Sequence, residues 1–420
     1  MTNRQDWDWQ INNKILADTA KIENDQKRVD ELAVSPDGEK IAALIQKEDN
    51  SFTVQTNDKA WEESFELLWY LRYAPDGRLI ALGRADDEWT LIVGGKPWDE
   101  KFEYVWNPKF SASGNAIGVL YKRDNLYGVA IEGKTWENDF HAIRDFCISP
   151  DGQHSAATVQ TAPLKEADIF GFFDGVWSVA VNGKAWDRNF INAWNPIFGD
   201  DNRHVAAEIR TDICEYTMAS NNEIWPSKYG HVWAPIVRPG SGRVVAPVRE
   251  AGQWMLAEDG KPLWNRRFFQ LWGQKFSPDG KRIAAIASPA FGRWTIVADD
   301  EPWRVNFGEM VLEPVFSPDS KHVAALVKDK GLWTVAVDGK PWKEWFEMAW
   351  NPVFSPDGGQ VLAKAEKNGK HFIVVNGRVT NKMYERLWDP VFSDDGKKIM
   401  LRYIDDGKYH RQVIPVGELR

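Results

Sequence analysis

Apolar and polar positions along this chain follow two regimes in turn. The first is a short continuous apolar run rich in alanine, as in Ile41-Ala42-Ala43-Leu44, Val205-Ala206-Ala207, Ile283-Ala284-Ala285-Ile286 and Val323-Ala324-Ala325-Leu326. Continuous apolarity of this length predicts a strand buried on both faces. The alanines predict tight space, as near the axis of a radial array. The second is an alternating segment that ends in a two-residue turn. Trp333-Thr334-Val335-Ala336-Val337 runs into Asp338-Gly339, Trp177-Ser178-Val179-Ala180-Val181 into Asn182-Gly183, and Phe372-Ile373-Val374-Val375 into Asn376-Gly377. Asn-Gly and Asp-Gly between such segments predict tight hairpins.

The two regimes are punctuated by a recurring turn. Ser-Pro-Asp-Gly stands at 35–38, 149–152, 277–280 and 355–358, with close variants at 74–77, 111–114, 317–320 and 393–396 and weaker ones at 199–202 and 238–241. The ten turns start 37 to 40 residues apart, except for one gap of 50. A period near 40 marks a repeat architecture. In the turn, Ser accepts a hydrogen bond, Pro presets φ, Asp is tolerated, and Gly closes where φ turns positive. Asn202 serves in place of that Gly for the same reason.

After each hairpin comes a segment like Gly-Lys-Pro-Trp, at 95–98, 133–136, 183–186 and 339–342. From this Trp runs a ladder Trp-x3-Phe-x3-Trp, as in Trp61/Phe65/Trp69, Trp98/Phe102/Trp106, Trp186/Phe190/Trp194, Trp264/Phe268/Trp272 and Trp342/Phe346/Trp350. Asn-Pro often follows (107–108, 195–196, 351–352), so the ladder is expected to be strand, bend and strand rather than helix. Four short strands in about 40 residues make one propeller blade. The expectation is an all-β chain: a β-propeller of about ten four-stranded blades, one ring and one domain over residues 1–420, with an insertion loop at about 162–175. The last unit lacks its outer strand. Trp7-Asp8-Trp9-Gln10-Ile11 resembles the alternating Trp strand and is expected to close the ring there, removing an open edge.

Composition narrows the function. Tryptophan is the anomaly, with 23 Trp against 21 Phe and 10 Tyr. Net charge is −9, with a pI near 5.5, which argues against a nucleic-acid binder and against binding anionic lipid directly. Cys147 and Cys214 form no C-x-x-C pair and cannot cage a metal or cluster. Two free, buried thiols suit a reducing compartment. The stretch Met1–Trp9 shows no apolar signal core, and no stretch approaches the roughly 18 apolar residues of a membrane span. The localisation expected is cytoplasmic, peripheral to a membrane only through partners.

Little catalytic chemistry is visible. No His-Glu-x-x-His, phosphate-binding Gly loop or Gly-x-Ser-x-Gly occurs, so no catalytic, metal-binding or cofactor-binding residue is assigned and no cofactor is expected. His154, His204 and His322 hold the same place in their repeats, five residues after the turn begins, which favours a structural or surface role over a shared metal. The Trp residues are expected to fill wedges between blades, with Trp7, Trp9 and Trp345 outside the main ladder and the better candidates for exposure. The insertion carries Leu164, Ile169, Phe170, Phe172 and Phe173. Two readings of it stay open: these side chains tuck against their own blade, or, with Trp345, they form a partner-docking surface.

The Ser-Pro-Asp-Gly units resemble the propeller repeats of TolB-like and WD-repeat proteins over nearly the whole chain, a likeness specific for fold and almost silent on function. The Trp-rich ladders, of the kind Trp98/Phe102/Trp106, are also similar to the TmcD subunits of the transmembrane electron-transfer complex of sulfate-reducing bacteria. That resemblance implies a non-redox scaffold role on the cytoplasmic face, beside iron–sulfur and cytochrome partners, and offers no site residues. The alternative functions are a carbohydrate- or ligand-binding propeller using exposed Trp faces and, last, an enzyme with a site at the channel mouth.

Overall fold

A computed structural model of the protein describes residues 4–419; Met1–Asn3, part of the stretch read for a signal, lie outside them. The described chain folds into ten antiparallel sheets of four or five strands, the blades of a β-propeller. The third blade shows the pattern: Tyr104–Phe110, Ile117–Arg123, Leu126–Ile131 and Lys134–Thr135 pair in chain order. The alanine-rich run is the second strand, hydrogen-bonded on both edges, and the fourth is only two residues long. Two compact units divide the described residues, 74–76 and 82–272 in one, and 4–73, 77–81 and 273–419 in the other. The divisions fall within the second and seventh repeats.

Turn chemistry explains why each repeat folds alike. In the Ser-Pro-Asp-Gly turn at residue 35, the Gly38 N–H donates to the Ser35 carbonyl at 2.9 Å and Gly38 takes φ +74°. Asn202 and Ser320 fill the same place at φ +62° and +63°. Asp is more than tolerated: its carboxylate accepts the Ser hydroxyl at 2.5–2.6 Å in six repeats, from Ser35–Asp37 to Ser393–Asp395. At the hairpin, Asn182-Gly183 and Asp338-Gly339 have positive φ at both positions, the type I′ signature that matches strand twist. The hairpin side chain also reaches across the sheet. Asn57, Asn182, Asn221, Asp259, Asp299, Asp338 and Asn376 each accept the N–H of the first residue of their second strand at 2.8–2.9 Å.

The ladder joins one blade to the next. Phe102 exchanges two backbone hydrogen bonds with Trp89 of its own third strand, and Trp106 then lies on the first strand of the following blade. The same backbone bridge recurs nine times, with the third-strand partner Phe52, Trp89, Tyr127, Trp177, Tyr216, Trp254, Trp294, Trp333 or His371. The Trp after Lys-Pro packs against the hairpin glycine of the next blade: a Cβ on Gly183, Gly339 or Gly377 would lie 3.0–3.1 Å from Trp136, Trp303 or Trp342. These Trp do fill wedges between blades. The core is correspondingly sheet on sheet. One cluster joins Ala156, Trp177 and Val179 of the fourth blade to Ala193, Val205, Ala207 and Ile209 of the fifth, so the alanines are crowded by the neighbouring blade. The Asn-Pro step lies inside the first strand: it makes a register shift at 106–109 and 194–197 and, at 351–352, splits the strand into Met348–Ala349 and Val353–Phe354, because Pro brings no N–H to the ladder.

Both termini meet in the last blade, but the strand that completes it is Asn12–Asp18, not residues 7–11. It pairs with Lys408–Pro415 in the outer position, from Asn12 opposite Val413 to Asp18 opposite Lys408. Beside it Arg411, fully buried, donates to the Asp37 carbonyl at 2.8 Å and to the Asp8 carbonyl, and the Tyr409 hydroxyl donates to the Gly38 carbonyl at 2.8 Å. Removing residues 1–18 leaves Lys408–Pro415 as an open edge and takes the Asp8 acceptor from a buried cation. The truncated protein is expected to melt at a temperature lower by several degrees or more in a calorimetric scan; an unchanged melt would show that the splice contributes nothing.

Candidate functional site

The insertion is not a loop throughout. Thr19–Asp25, near the N-terminus, forms a first short helix, α1, and here Ile169–Asp174 forms a second, α2, with the Asp168 carboxylate accepting the Gly171 N–H at 2.9 Å. Gly175 ends it at φ +83°, where a Cβ would sit 2.6 Å from the Phe190 backbone. The helix buries none of its residues. Phe170 is 84% exposed and Ile169 64%, and Phe173 and Leu164 are exposed as well. Phe172 alone is half-buried, edge-on to Phe173 at 5.6 Å, with the Arg210 guanidinium 6.0 Å from its ring. Tucking against the blade thus describes Phe172, and four of the five apolar side chains face outward. Trp345 is not exposed; it is half-buried, on the segment that connects Lys340–Pro341 to Met348–Ala349 in sequence, in the other compact unit. Trp7 and Trp9 are half-buried and stacked on each other at 6.2 Å.

The exposed tryptophans are Trp69 and Trp233, 41% and 40%. Both stand at the far end of a ladder, on or beside a first strand, a position that sequence reading assigned to the wedges. Trp69 opens onto a cavity of about 810 Å³ that lies within one compact unit. Trp350 and Trp388, the equivalent residues of the ninth and tenth repeats, line it too, with Glu23, Asp30, Glu31, Tyr70, Arg72, Lys364, His371 and Arg386. Its walls are braced. Glu31 accepts the N–H groups of Tyr70 at 2.9 Å and Leu71 at 3.0 Å and pairs with Arg72 at 3.2 Å, holding Tyr70 at φ +62°. The Lys364 ammonium lies 4.0 Å over the Trp350 ring and 3.6 Å from Asp389; burial holds its pKa below the usual lysine range, and Asp389 offsets part of this. His371 meets Trp350 at 5.6 Å. Its Nδ1 is enclosed without a hydrogen-bond partner, and burial lowers its pKa.

Other chemistry-bearing residues fall into place locally. His154 bonds Asn182, His204 bonds Asp201 and His322 bonds Asp338, each within its own blade, in keeping with a structural role. The Cys147 thiol is pushed up to about 12 by burial, whereas Cys214 is exposed, contrary to the expectation of two buried thiols. Glu385, Asp405 and Asp406 bring three carboxylates near one another at the last hairpin. In the first unit, Glu208 is 6% exposed and accepts from Asn195 Nδ2 at 2.6 Å. Burial raises its pKa to about 7, against the Asn195 hydrogen bond and with a further push from Asp145.

No family model and no curated protein matches the chain. Matches in fold to solved structures include a eukaryotic initiation factor (12% identical, covering 78% of this chain and 88% of that one, TM-score 0.46). Others are hydrazine synthase of Kuenenia stuttgartiensis (17% identical, 73% and 94%, TM-score 0.31) and TolB of Acinetobacter baumannii (12% identical, 74% and 78%, TM-score 0.30). At such scores they carry no argument about function, and nothing among them supports the specific likeness to TmcD. The blades stand on the strand pairing of the chain itself. No helix among the described residues is long and apolar enough to cross a membrane.

Glu208 gives this region a testable pH signature. Its folded pKa, about 7, lies above the ordinary 4.5. The folded state therefore keeps a proton that the unfolded chain has released between those values. The stability this contributes is whole below pH 4.5 and is lost as pH rises through 7, a change on the order of 3 kcal/mol. Glu208→Gln should melt above wild type at pH 8 and level with it near pH 4.5. Parallel melting curves for the two proteins across this range would refute the assignment.

Proposed function

We propose that the protein is a non-catalytic interaction module that docks a partner through α2 and its flanks. The observation that carries this is the outward apolar face of the insertion, Leu164, Ile169, Phe170 and Phe173, on a segment that breaks an otherwise regular period. Clustered exposed aromatics mark interaction sites, and large aromatic anchors supply most of the energy of a docked interface. Trp345, the sixth residue of the candidate set, is half-buried. The finer reading is a scaffold subunit of a membrane-bound electron-transfer complex, cytoplasmic and held to the membrane through iron–sulfur and cytochrome subunits. What supports this is the resemblance of the Trp-rich ladders to subunits of such a complex.

The test is affinity purification of the full-length protein from detergent-solubilised native membranes, with haem and iron assayed in the eluate, for wild type and for Phe170→Ser/Phe172→Ser/Phe173→Ser. The expected result is haem- and iron-containing partners with wild type and their loss with the triple variant. The protein should stay folded: Phe170 and Phe173 are exposed, where substitutions usually cost within about 0.5 kcal/mol each, and the half-buried Phe172 adds a larger but local cost. Equal recovery by both proteins would sink the docking face. Partners free of haem and iron would sink the electron-transfer host and leave the docking face standing.

A further inference from the structure

We infer that the aromatic cavity beside Trp69 binds a neutral oligosaccharide. The cavity borders the one repeat that departs from the others at its backbone bridge. Nine repeats share the backbone bridge between a third-strand ring and an aromatic residue further on; in eight of them that ring is Phe, Tyr or Trp, and in the ninth repeat it is His371, bridged to Tyr384. The backbone geometry is kept while the side chain shrinks: the His371 and Tyr384 backbone N–H groups each donate to the other's carbonyl at 3.0 Å. The space lies between Trp69, Trp350 and Trp388, and its volume of about 810 Å³ falls in the range of small-ligand sites.

The lining selects the chemical class. Arg72, Lys364 and Arg386 are matched by Glu23, Asp30 and Glu31, so the walls carry no net charge. Two of the three cations are already engaged, Arg72 by Glu31 and Lys364 by Asp389 and the Trp350 face. Two of the three carboxylates are engaged as well, Asp30 by Arg28 and Glu31 by Arg72, so a phosphate-bearing ligand would find Arg386 alone with Glu23 nearby, and a cationic ligand would meet Arg386. What remains on offer is flat apolar surface from Trp rings, which the C–H face of a pyranose matches, together with a donor in Arg386, an acceptor in Glu23 and an imidazole that serves as either. The His371 Nδ1, enclosed and unpartnered, is a cost to the empty site that a hydroxyl removes, since a hydroxyl both donates and accepts. The wall is set in advance: Tyr70 stays at φ +62° because Glu31 holds its N–H and that of Leu71, and a preformed wall loses less freedom on binding.

The test uses the full-length protein in titration calorimetry against neutral gluco-, manno-, xylo-, galacto- and chito-oligosaccharides, with ATP as the anionic comparator. One neutral series is expected to bind, and ATP is not. Trp69→Ala should weaken that binding about tenfold or more, the loss of one stacked ring. His371→Trp, which restores the ring found in other repeats, narrows the site and removes the unpartnered Nδ1, should weaken binding about tenfold or more while leaving the protein folded. The triple Phe variant of α2 should bind the sugar as wild type does, so this inference and the docking reading fail separately. Binding of none of the sugars, preference for ATP, or a sugar bound equally well by wild type and His371→Trp would overturn it.

Discussion

Each blade depends on how its outermost corner is tied to its middle. The fourth strand is two residues long, as in Lys134–Thr135 and Lys340–Pro341, too short to hold a sheet edge through its own ladder. The hairpin residue before it does that work from both ends. The Asp338 N–H donates to the Val323 carbonyl at 2.8 Å while its carboxylate accepts the Val323 N–H at 2.9 Å. A buried strand start would otherwise leave both groups unpaired, which costs more than an exposed turn gains. The same pair of hydrogen bonds recurs at Asn57, Asn182, Asn221, Asp259, Asp299 and Asn376, and at each the residue is held at positive φ.

A second tie follows from the first. With the hairpin fixed, the chain turns back and the third strand catches it twice. The ring residue makes the backbone bridge, and the hydroxyl residue after it bonds a carbonyl ten residues on: Thr53 to Glu63, Thr90 to Glu100, Ser178 to Arg188, Thr217 to Ser227, Thr295 to Val305 and Thr334 to Glu344, at 2.7–2.9 Å. Those hydroxyl residues are buried, so each bond is made in a setting where its loss would leave an unpaired carbonyl. The hydroxyl tie precedes Trp69 and Trp350 in the chain, whereas Phe372 stands in its place before Trp388 and the backbone bridge alone remains there.

Much of this was legible in the residues. The turn tetrapeptide, the Asn-Gly hairpins and the apolar runs each state a local conformation that nothing in the tertiary structure overrides, and together they specify strand order within a blade. The Trp-Thr dipeptides were read as alternation alone, because a hydroxyl bond to a carbonyl ten residues away has no local signature. The closing strand was expected at residues 7–11 because Trp7 and Trp9 imitate the repeat; Asn12–Asp18 lies there instead, where Tyr409 and Arg411 fix the pairing through contacts near 37–39 that no pattern reveals. The candidate docking residues of the insertion were found by composition, and their outward aim came from the fold. Trp69 and the cavity were missed because exposure depends on what the neighbouring repeats place opposite a ring.

In a chain built from equivalent units, whatever distinguishes one unit from the rest must be sought where equivalence breaks. The repeated positions are determined by hydrogen-bond closure and packing, so a change there that keeps the backbone bond but not the side-chain volume alters shape without unfolding the blade. The insertion before Trp177 adds surface in this way and leaves the strand pairing of its blade intact, Gln160 still opposite Trp177. His371 does the converse: it keeps the bridge to Tyr384 and withdraws volume, leaving an enclosed nitrogen with no partner. A core substitution that merely made a hole would be costly in proportion to the space opened. A hole lined by polar groups of both senses and by three indole rings is cheaper, because water or a hydroxylated ligand occupies it with its hydrogen bonds made. Surface gained at the fourth blade and volume lost at the ninth are therefore two solutions to one constraint, that a repeat protein acquires specificity only at positions its repeat does not need.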